Sequence, residues 1–348
     1  MTSEPFPVNT WTHENIHLSD YCNQSCPFCF ASTEMAKTKK KEMDIKSFRF
    51  ITKKLKQAGI LNIDFLGGEP TLNSQFPKIL NYALKNFFII QMFTNGLFSL
   101  KVRKALIKAM PRLVLIFNIG TPGFRFNAKI RQEVMENIRP FTANATVVLS
   151  IVSSFMNEKE AIEIIDSVDP SIIRQTMFKL SCLSPTAGGK NPITINDFSR
   201  IGHNVCKIIS YLEKIGPSKK AVFNSMYRPC MFSDNDREFL KKRGYEYIYE
   251  TKTCHANLSY GTDCIHINSD LKTFACYPLS TLNMFSLEKK TNYGELKQKY
   301  AEIEENLKKK FVLPECRKCL HFGLEEGQCS GPCLGFRINA LNVFKQLS

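Results

Sequence analysis

Apolar and polar residues alternate along the first half of the chain in two recurring patterns. Residues 44–59 place apolar side chains at a helical spacing, and Gly59 is suited to end that helix. Residues 61–66 form a short apolar run, which is typical of a buried parallel strand. The alternation predicts strands at 16–21, 61–66, 87–93, 113–119, 145–152 and 172–180, and helices at 44–59, 74–86, 100–110, 127–140 and 157–168.

Six strands that alternate with helices indicate parallel βαβ units, so we expect an α/β fold in which the six units could form a partial (β/α)6 barrel. Active sites of parallel α/β sheets lie at the carboxyl ends of the strands. Glycines there let the backbone approach a ligand closely, and a carboxylate offers a hydrogen-bond acceptor. Three segments fall at this end: the loop 22–29, Gly67-Gly68-Glu69-Pro70 and Thr94-Asn95-Gly96.

The composition is that of an ordinary globular protein, because 43% of the 348 residues are hydrophobic and 23% are charged. No apolar run approaches the roughly 18 residues that a membrane helix needs. Residues 1–20 contain charged side chains and no apolar core, so we expect no secretory signal. The sequence therefore predicts a cytoplasmic protein with no membrane partner.

The 13 cysteines are unevenly distributed. Cytoplasmic thiols stay reduced, and an odd number suits a pure disulfide framework poorly. Metal or cluster ligands, a catalytic thiol and scattered core positions are the remaining interpretations. The cysteines form three groups: Cys22, Cys26 and Cys29; the isolated Cys182, Cys206 and Cys230; and Cys254, Cys264, Cys276, Cys316, Cys319, Cys329 and Cys333.

The first group could wrap one metal centre, since its three thiols lie within residues 22–29. A structural zinc site usually has four ligands, and no nearby Cys or His supplies the fourth. A [4Fe-4S] cluster is normally held by four thiolates, so three would leave one iron open to a small ligand. A zinc loop and a chance grouping are the alternatives.

The spacing Cys22-x3-Cys26-x2-Cys29, with the aromatic Phe28 before the last cysteine, resembles the signature of the radical SAM superfamily. In that family the open iron chelates the amino and carboxylate groups of S-adenosylmethionine. The resemblance implies that Phe28 approaches the adenine, although a packing role is the alternative.

The resemblance continues at the second and third strands, so that it covers residues 14–182. Gly67, Gly68 and Glu69 match a family motif whose backbone and acid contact the methionyl amino group. Thr94 begins a segment that is also common in the family. Asn118 and Ser150, at the ends of the fourth and fifth strands, are further candidate contacts of S-adenosylmethionine, with strand-end capping or barrel packing as the alternative.

The cysteine-rich C-terminal region resembles a SPASM extension, which binds auxiliary [4Fe-4S] clusters in enzymes that modify peptides or proteins. A hairpin precedes one of its ligands, although Leu271 stands where the turn usually has glycine. The resemblance implies one auxiliary cluster on Cys254, Cys264, Cys276 and Cys333, and most of a second on Cys316, Cys319 and Cys329.

The C-terminal cysteines depart from the usual SPASM pattern in two ways, and the second auxiliary cluster is left without a fourth cysteine. The spacing from Cys319 to Cys329 is wider than usual, and no cysteine follows Cys333. The fourth iron could stay open, or it could be bound by a non-cysteine ligand or by a ligand from elsewhere in the chain. Cys230 is the candidate for that ligand, and His321 is a weaker candidate. A single auxiliary cluster and a zinc site are the alternatives.

The predicted organisation has three parts: a radical SAM partial barrel at 1–195, a helical linker at 196–253 and a SPASM-like auxiliary cluster domain at 254–348. Cys206 lies on the apolar face of a predicted helix at 196–215, and Cys182 follows the sixth strand. We expect both to pack in the core, with a position facing the barrel cavity as the alternative for Cys182.

The resemblance implies a radical SAM oxidoreductase or peptide maturase that makes a 5′-deoxyadenosyl radical and abstracts hydrogen from a substrate. The expected substrate is a ribosomal peptide or a protein side chain, and the expected electron donor is an external flavodoxin or ferredoxin. A small molecule or cofactor precursor is the alternative substrate, and a non-catalytic metal-binding protein is the alternative of another class. No catalytic acid or base is assigned.

The formal net charge of +15 is compatible with an acidic leader peptide, although Lys39–Lys41 and Lys308–Lys310 look like solvated surface runs. Basic residues are not interleaved with stacking aromatics, so we expect no nucleic-acid partner. The segment before the first predicted strand is too short for a separate leader-binding domain. Leader recognition would then belong to the barrel, the extension or another protein.

Overall fold

One mixed sheet organises the part of the chain that the structure describes. The structure is a computed structural model, and it describes residues 13–26, 29, 31, 35, 40–141, 146–152, 157–168, 176–181, 193–216, 220–223, 227–250, 264–280, 282, 284–323, 329 and 331–343. Across these residues the sheet has ten strands in the order β10-β9-β8-β1-β2-β3-β4-β5-β6-β7. The strands are β1 His13–His17, β2 Asn62–Leu66, β3 Ile89–Thr94, β4 Leu113–Asn118, β5 Thr146–Val152, β6 Thr176–Ser181, β7 Lys220–Phe223, β8 His266–Ile267, β9 Lys272–Phe274 and β10 Phe285–Ser286.

Helices connect the parallel strands β1 to β7 and continue into the C-terminal region. Polar residues cap several of them; for example, the Asp44 carboxylate accepts a hydrogen bond from the Ser47 N–H at the start of the first helix. The helices are α1 Ile45–Gln57, α2 Phe76–Asn86, α3 Leu100–Ala109, α4 Pro122–Phe126, α5 Ala128–Ile138, α6 Glu158–Asp166, α7 Phe198–Ile215, α8 Asp234–Lys241, α9 Tyr247–Glu250, α10 Tyr293–Lys310, α11 Pro314–Arg317 and α12 Leu334–Ala340.

The parallel α/β sheet confirms the fold predicted from the sequence, with differences at its edges. The first strand is His13–His17, earlier than the predicted 16–21, because its ladder with β2 starts at His13 opposite Asn62. Residues 18–21 still continue this pairing, since the Leu18 N–H donates to the Leu66 carbonyl oxygen over 2.9 Å. A seventh parallel strand, β7, pairs with β6 beyond the six that were expected.

The two faces of β1 and β2 differ in polarity. Ile16 and Phe65 are fully buried in the core together with Phe48 of α1, and the Phe48 and Phe65 rings lie 5.8 Å apart. Because side chains alternate along a strand, the opposite face carries His13 and Asp64, whose Nδ1 and Oδ1 atoms are 2.8 Å apart. The helices therefore cover an apolar face, while the face inside the partial barrel is polar.

A C-terminal hairpin extends the barrel at its first strand. Strand β8 runs parallel to β1, with Asn15 opposite His266, and β9 returns antiparallel to β8. Leu271 in the hairpin turn has a φ of 61°, so it adopts the left-handed conformation that glycine takes most easily. Lys297 of α10 lies 2.6 Å from the fully buried carboxylate of Glu14, which ties this region to β1.

Helix α7 joins the barrel to the last helix. Its buried Cys206 lies in the core, as expected. The Phe198 ring at its start lies 5.3 Å from the Phe336 ring of α12. Among the described helices, none has both the length and the apolar character of a membrane span.

Candidate functional site

Three thiols converge in the loop that follows β1. The Cys29 N–H donates to the Cys26 carbonyl oxygen over 3.0 Å, which closes this part of the loop into a turn. Burial, followed by the nearby Cys29 and Cys22 thiols, raises the pKa of the Cys26 thiol to about 12. The three thiols therefore lie close enough for their charges to interact. A bound metal centre would instead lower the pKa of these thiols, because a coordinating thiol is deprotonated.

Hydrogen-bond donors surround Cys22. The Gln24 N–H lies 3.4 Å from its Sγ atom, and the side-chain amide of Asn95 lies 3.5 Å from it. The same amide donates to Asn23 Oδ1 over 2.7 Å. Burial raises the pKa of the Cys22 thiol to about 11, while the Gln24 and Asn95 donors lower it. Both donors would stabilise a thiolate at this position.

Gly67 and Gly68 bring the loop after β2 against the cysteine loop. Gly67 has a φ of 140°, and a Cβ atom there would lie 2.4 Å from the Ser19 carbonyl oxygen. A Cβ atom on Gly68 would lie 2.1 Å from the Tyr21 carbonyl oxygen and 2.9 Å from the Cys22 nitrogen. Contacts this short do not occur in folded proteins, so both positions require glycine while the cysteine loop stays in place.

The Glu69 carboxylate connects the loops after β2 and β3. Its Oε1 atom accepts hydrogen bonds from the Thr71 N–H at 3.2 Å, the Thr71 hydroxyl at 2.6 Å and the Thr94 hydroxyl at 2.8 Å. Its Oε2 atom accepts from the Asn95 N–H at 2.8 Å. Burial raises the pKa of this carboxyl, and the Asn95 donor is the largest influence that lowers it. Glu69 and Thr94 thus hold the loop that presents Asn95 to Cys22.

Asn95 and Tyr21 are site residues that the sequence-based assignment omitted. Asn95 belongs to the Thr94-Asn95-Gly96 segment, which was the signal for it. Tyr21 precedes Cys22, and its hydroxyl lies within hydrogen-bond distance of the Glu42 carboxylate and, at 2.9 Å, of the Leu72 carbonyl oxygen. Tyr21 therefore anchors the start of the cysteine loop.

The other expected contacts of S-adenosylmethionine are only partly described. Asn118 is the last residue of β4, where it pairs with Val148 of β5. Ser150 lies inside β5 opposite Lys179, two residues before the strand ends, and the structure does not describe its side chain. Phe28 lies outside the described residues.

The hairpin register, when it is extended beyond the paired residues, relates two C-terminal cysteines. His266 of β8 is opposite Phe274 of β9, so extending this antiparallel register by two residues places Cys264 opposite Cys276. Cys333 immediately precedes α12, which packs against the turn that follows Cys276. Cys254, which the resemblance groups with these three, lies outside the described residues, as does Cys182.

A buried polar network runs from Cys264 along the inner face of β1. The Asn15 amide donates to Cys264 Sγ over 2.9 Å and lies 3.2 Å from His266 Nε2. His266 Nδ1 lies 2.9 Å from His17 Nε2, and His17 Nδ1 lies 2.6 Å from the Tyr277 hydroxyl. Burial lowers the pKa of His266 to about 3 and that of His17 well below 6.5. Both imidazoles are therefore neutral near pH 7.

A second group of thiols includes Cys230, a residue that is exposed to solvent. Partial desolvation, followed by the thiols of Cys329, Cys316 and Cys319, raises the pKa of the Cys230 thiol to about 11. Cys230 therefore lies beside three cysteines that are distant in sequence. The side chain of His321, the weaker candidate, is exposed.

The donor chemistry of both groups suits iron–sulfur clusters, which thiolates bind. Among the described residues, no three His, Cys, Asp or Glu side chains lie close enough to hold one metal ion. In a cubane each thiolate binds a different iron, so its ligands lie farther apart than those around a single ion.

One family model matches the part of the chain that carries Cys22, Cys26 and Cys29. Residues 16–167 match the family model of the radical SAM superfamily. An S-adenosylmethionine-dependent nucleotide dehydratase of Selenomonas ruminantium is 34% identical over 83 residues, which are 24% of this chain and 29% of that protein. The sporulation killing factor maturation protein SkfB of Bacillus subtilis (strain 168) is 32% identical over 82 residues, which are 24% of this chain and 20% of SkfB. The chain therefore spans less than a third of either relative.

Solved structures resemble most of the chain. SuiB of Streptococcus suis bound to S-adenosylmethionine has a TM-score of 0.59 at 16% identity, covering 96% of this chain and 73% of SuiB. SuiB bound to its precursor peptide SuiA has a TM-score of 0.56 at 16% identity, over 83% of this chain and 67% of that one. Native anSMEcpe with AdoMet and the Cp18Cys peptide has a TM-score of 0.59 at 13% identity, covering 97% of this chain and 98% of that one. At these identities the likeness concerns the fold.

Proposed function

Since residues 16–167 are a radical SAM domain, we propose that the chain is an enzyme that cleaves S-adenosylmethionine reductively and abstracts a hydrogen atom from a substrate. Cys22, Cys26 and Cys29 would hold the [4Fe-4S] cluster and leave one iron for S-adenosylmethionine. With both bound, this site would supply a 5′-deoxyadenosyl radical. The observation that carries the proposal is the grouping of these three thiols at the carboxyl end of β1, with Asn95 donating to Cys22.

The protein's part in this chemistry is to position groups and to keep water out. Gly67 and Gly68 allow the second loop to close on the cysteine loop, and Glu69 fixes the third loop against it. Asn95 and the Gln24 N–H direct their donors at the Cys22 thiolate. The site is therefore held by contacts between three neighbouring loops.

A peptide or protein side chain is the substrate class that we propose. Two of the structures with the same fold contain a bound peptide, and SkfB is a maturation protein. The +15 charge of 47 basic and 32 acidic side chains would favour an acidic partner, although thiolate ligands and an anionic cluster would reduce it. A small molecule is the second candidate substrate, because one relative is a nucleotide dehydratase.

The C-terminal region would hold an auxiliary cluster on Cys254, Cys264, Cys276 and Cys333. The hairpin register that sets Cys264 opposite Cys276 supports this assignment. The division into a barrel at 1–195, a linker at 196–253 and a cluster domain at 254–348 is part of the proposal. The electron for the first cluster would come from an external flavodoxin or ferredoxin.

The proposal is tested by anaerobic turnover with S-adenosylmethionine and a chemical reductant. Wild type should form 5′-deoxyadenosine, and the triple variant Cys22→Ala/Cys26→Ala/Cys29→Ala should form none. Cys206→Ala, which changes a buried core thiol, is the matched control and should retain the activity. A wild-type protein that is reconstituted with iron and sulfide but forms no 5′-deoxyadenosine would support the non-catalytic alternative.

The substrate class needs a separate readout. Incubation with a candidate peptide should produce a mass decrease of about two hydrogens when a crosslink or an oxidation forms. A nucleotide or other small molecule that changes in mass, with peptides left unchanged, would favour the second candidate.

A further inference from the structure

Cys230 belongs to the segment between the barrel and the C-terminal region, yet its thiol lies among cysteines of that region. It sits in a short 3-10 turn, Pro229–Met231, which packs against Gly202 of α7. One helical turn earlier, the Phe198 ring of α7 lies 5.3 Å from Phe336 of α12 in the C-terminal region. The Cys230 thiol lies within range of the charges of Cys329, Cys316 and Cys319. These four thiols come from two segments that are far apart in the sequence. Convergence of this kind requires tertiary packing and does not follow from local spacing.

The turn that carries Cys230 is fixed by close packing against α7. A Cβ atom on Gly202 of this helix would lie 1.9 Å from the Met231 carbonyl oxygen, so the turn approaches the helix as closely as glycine allows. Arg237 donates to the carbonyl oxygens of Pro229 at 3.2 Å and Phe232 at 3.0 Å. The position of Cys230 is therefore set by the scaffold before any ligand binds.

The other three cysteines lie on a compact backbone unit. The Cys319 N–H donates to the Cys316 carbonyl oxygen over 3.0 Å, as in a tight turn. The Cys329 N–H donates to the His321 carbonyl oxygen over 2.8 Å, and Phe322 forms a bridge with Cys329. This pairing brings Cys329 back to the turn despite the long intervening loop.

A buried positive charge lies next to this group. The Arg337 side chain is fully buried and donates to the carbonyl oxygens of Pro332 at 2.7 Å and Phe311 at 3.1 Å. A Cβ atom on Gly331 would lie 3.4 Å from both Arg337 Cζ and Cys316 Sγ, so guanidinium and thiol flank the same backbone position. The guanidinium would offset the negative charge of thiolates and of a cubane bound by four of them.

We propose that Cys230 completes a four-thiolate site with Cys316, Cys319 and Cys329, and that this site holds a [4Fe-4S] cluster. The linker segment thereby supplies the fourth ligand of this group. The proposal rests on the proposed function only in the choice of an iron–sulfur cluster. It does not depend on cleavage of S-adenosylmethionine.

The test uses the full chain in the Cys22→Ala/Cys26→Ala/Cys29→Ala background, so that iron at the first site does not contribute. Each protein is reconstituted anaerobically, and iron and sulfide per chain are measured together with the electron paramagnetic resonance spectrum. Adding Cys230→Ala should remove about four irons, or convert one cluster to a [3Fe-4S] form with its own spectrum. Adding Cys206→Ala instead should change neither readout.

Three results would overturn the proposal. One is an unchanged iron content and spectrum after Cys230→Ala. Another is loss of the same cluster on His321→Ala but not on Cys230→Ala. The third is zinc in place of iron when both metals are offered. Circular dichroism of the Cys230→Ala protein distinguishes loss of a ligand from unfolding. Cys230→Ser, which nearly preserves the volume of the side chain, should also lose or convert the cluster.

Failure of this test is distinguishable from failure of the proposed function. If the second site were absent, wild type would still form 5′-deoxyadenosine at the first. If the first were not catalytic, Cys230→Ala would still remove iron from the triple background.

Discussion

The side-chain amide of Asn95 donates a hydrogen bond to the Sγ atom of Cys22 across 3.5 Å. This contact joins the loop after β3 to the cysteine loop after β1, although β2 lies between the two strands. Glu69, from the intervening loop, receives the Asn95 N–H at 2.8 Å and holds the residue in position. The three loops therefore act together on one thiol.

Asn95→Ala should make the reduction potential of the first cluster more negative. An N–H donor stabilises the extra negative charge that reduction places on cluster and ligands, so its removal disfavours reduction. A redox titration followed by electron paramagnetic resonance measures the shift. Asn137→Ala is the matched control, because the Asn137 amide holds the same loop at the Gly96 and Phe98 carbonyl oxygens. Equal shifts in both variants would assign the effect to loop position.

Gly68→Ala should prevent assembly of the first cluster. The new Cβ atom would lie 2.1 Å from the Tyr21 carbonyl oxygen, and the backbone that carries Cys22 would have to move. We expect about four irons fewer per chain after anaerobic reconstitution. Gly294→Ala, whose Cβ atom would have its nearest contact at 3.5 Å, should reconstitute as wild type does. Full iron content in Gly68→Ala would show that this close approach is not needed.

Glu69→Gln should lower the free energy of unfolding by about 1–3 kcal/mol, because the glutamine NH2 group cannot accept the bonds that one carboxylate oxygen now receives. Either the Asn95 donor or the donors of Thr71 and Thr94 would lose their acceptor. Urea denaturation measures this loss. Glu305→Gln, at an exposed ion pair with Lys309, should change stability little. Equal stability of both variants would contradict the bridging role of Glu69.

Stability should fall as the pH drops below 6.5, the ordinary pKa of histidine. Burial lowers the pKa of His17 well below that value, and the adjacent His266 imidazole, which would repel a second positive charge, is the second cause. Below pH 6.5 the unfolded chain binds a proton at His17, while the folded chain does not until its lower pKa is reached. Acid therefore favours unfolding. His17→Gln should reduce the slope of stability against pH. An unchanged slope in His17→Gln would contradict the account.

The parallel sheet and the grouping of the three N-terminal thiols were predictable because their signals are local in sequence. Apolar periodicity marked the strands, and the short spacing of Cys22, Cys26 and Cys29 marked the grouping. The contact of Asn95 with Cys22 was not predictable, because it depends on the distance between two loops. Its motif was visible, but its role was assigned to Thr94.

In the C-terminal region, less of the structure could be predicted from the sequence. Spacing alone could name Cys230 only as a candidate for the fourth ligand. The packing of Gly202 against Met231 decides where Cys230 lies, and no periodicity in the sequence encodes that approach. The left-handed Leu271 marks the hairpin turn where glycine was expected, so the turn forms despite its residue.

The most direct measurement compares the reduced first cluster with and without S-adenosylmethionine by electron paramagnetic resonance. In wild type, adding S-adenosylmethionine should change the spectrum, because its amino and carboxylate groups bind the iron that Cys22, Cys26 and Cys29 leave open. In Cys22→Ala/Cys26→Ala/Cys29→Ala the responsive signal should be missing, while auxiliary signals remain. A wild-type spectrum that S-adenosylmethionine does not alter, or a response that survives in the triple variant, would contradict the assignment of these three cysteines.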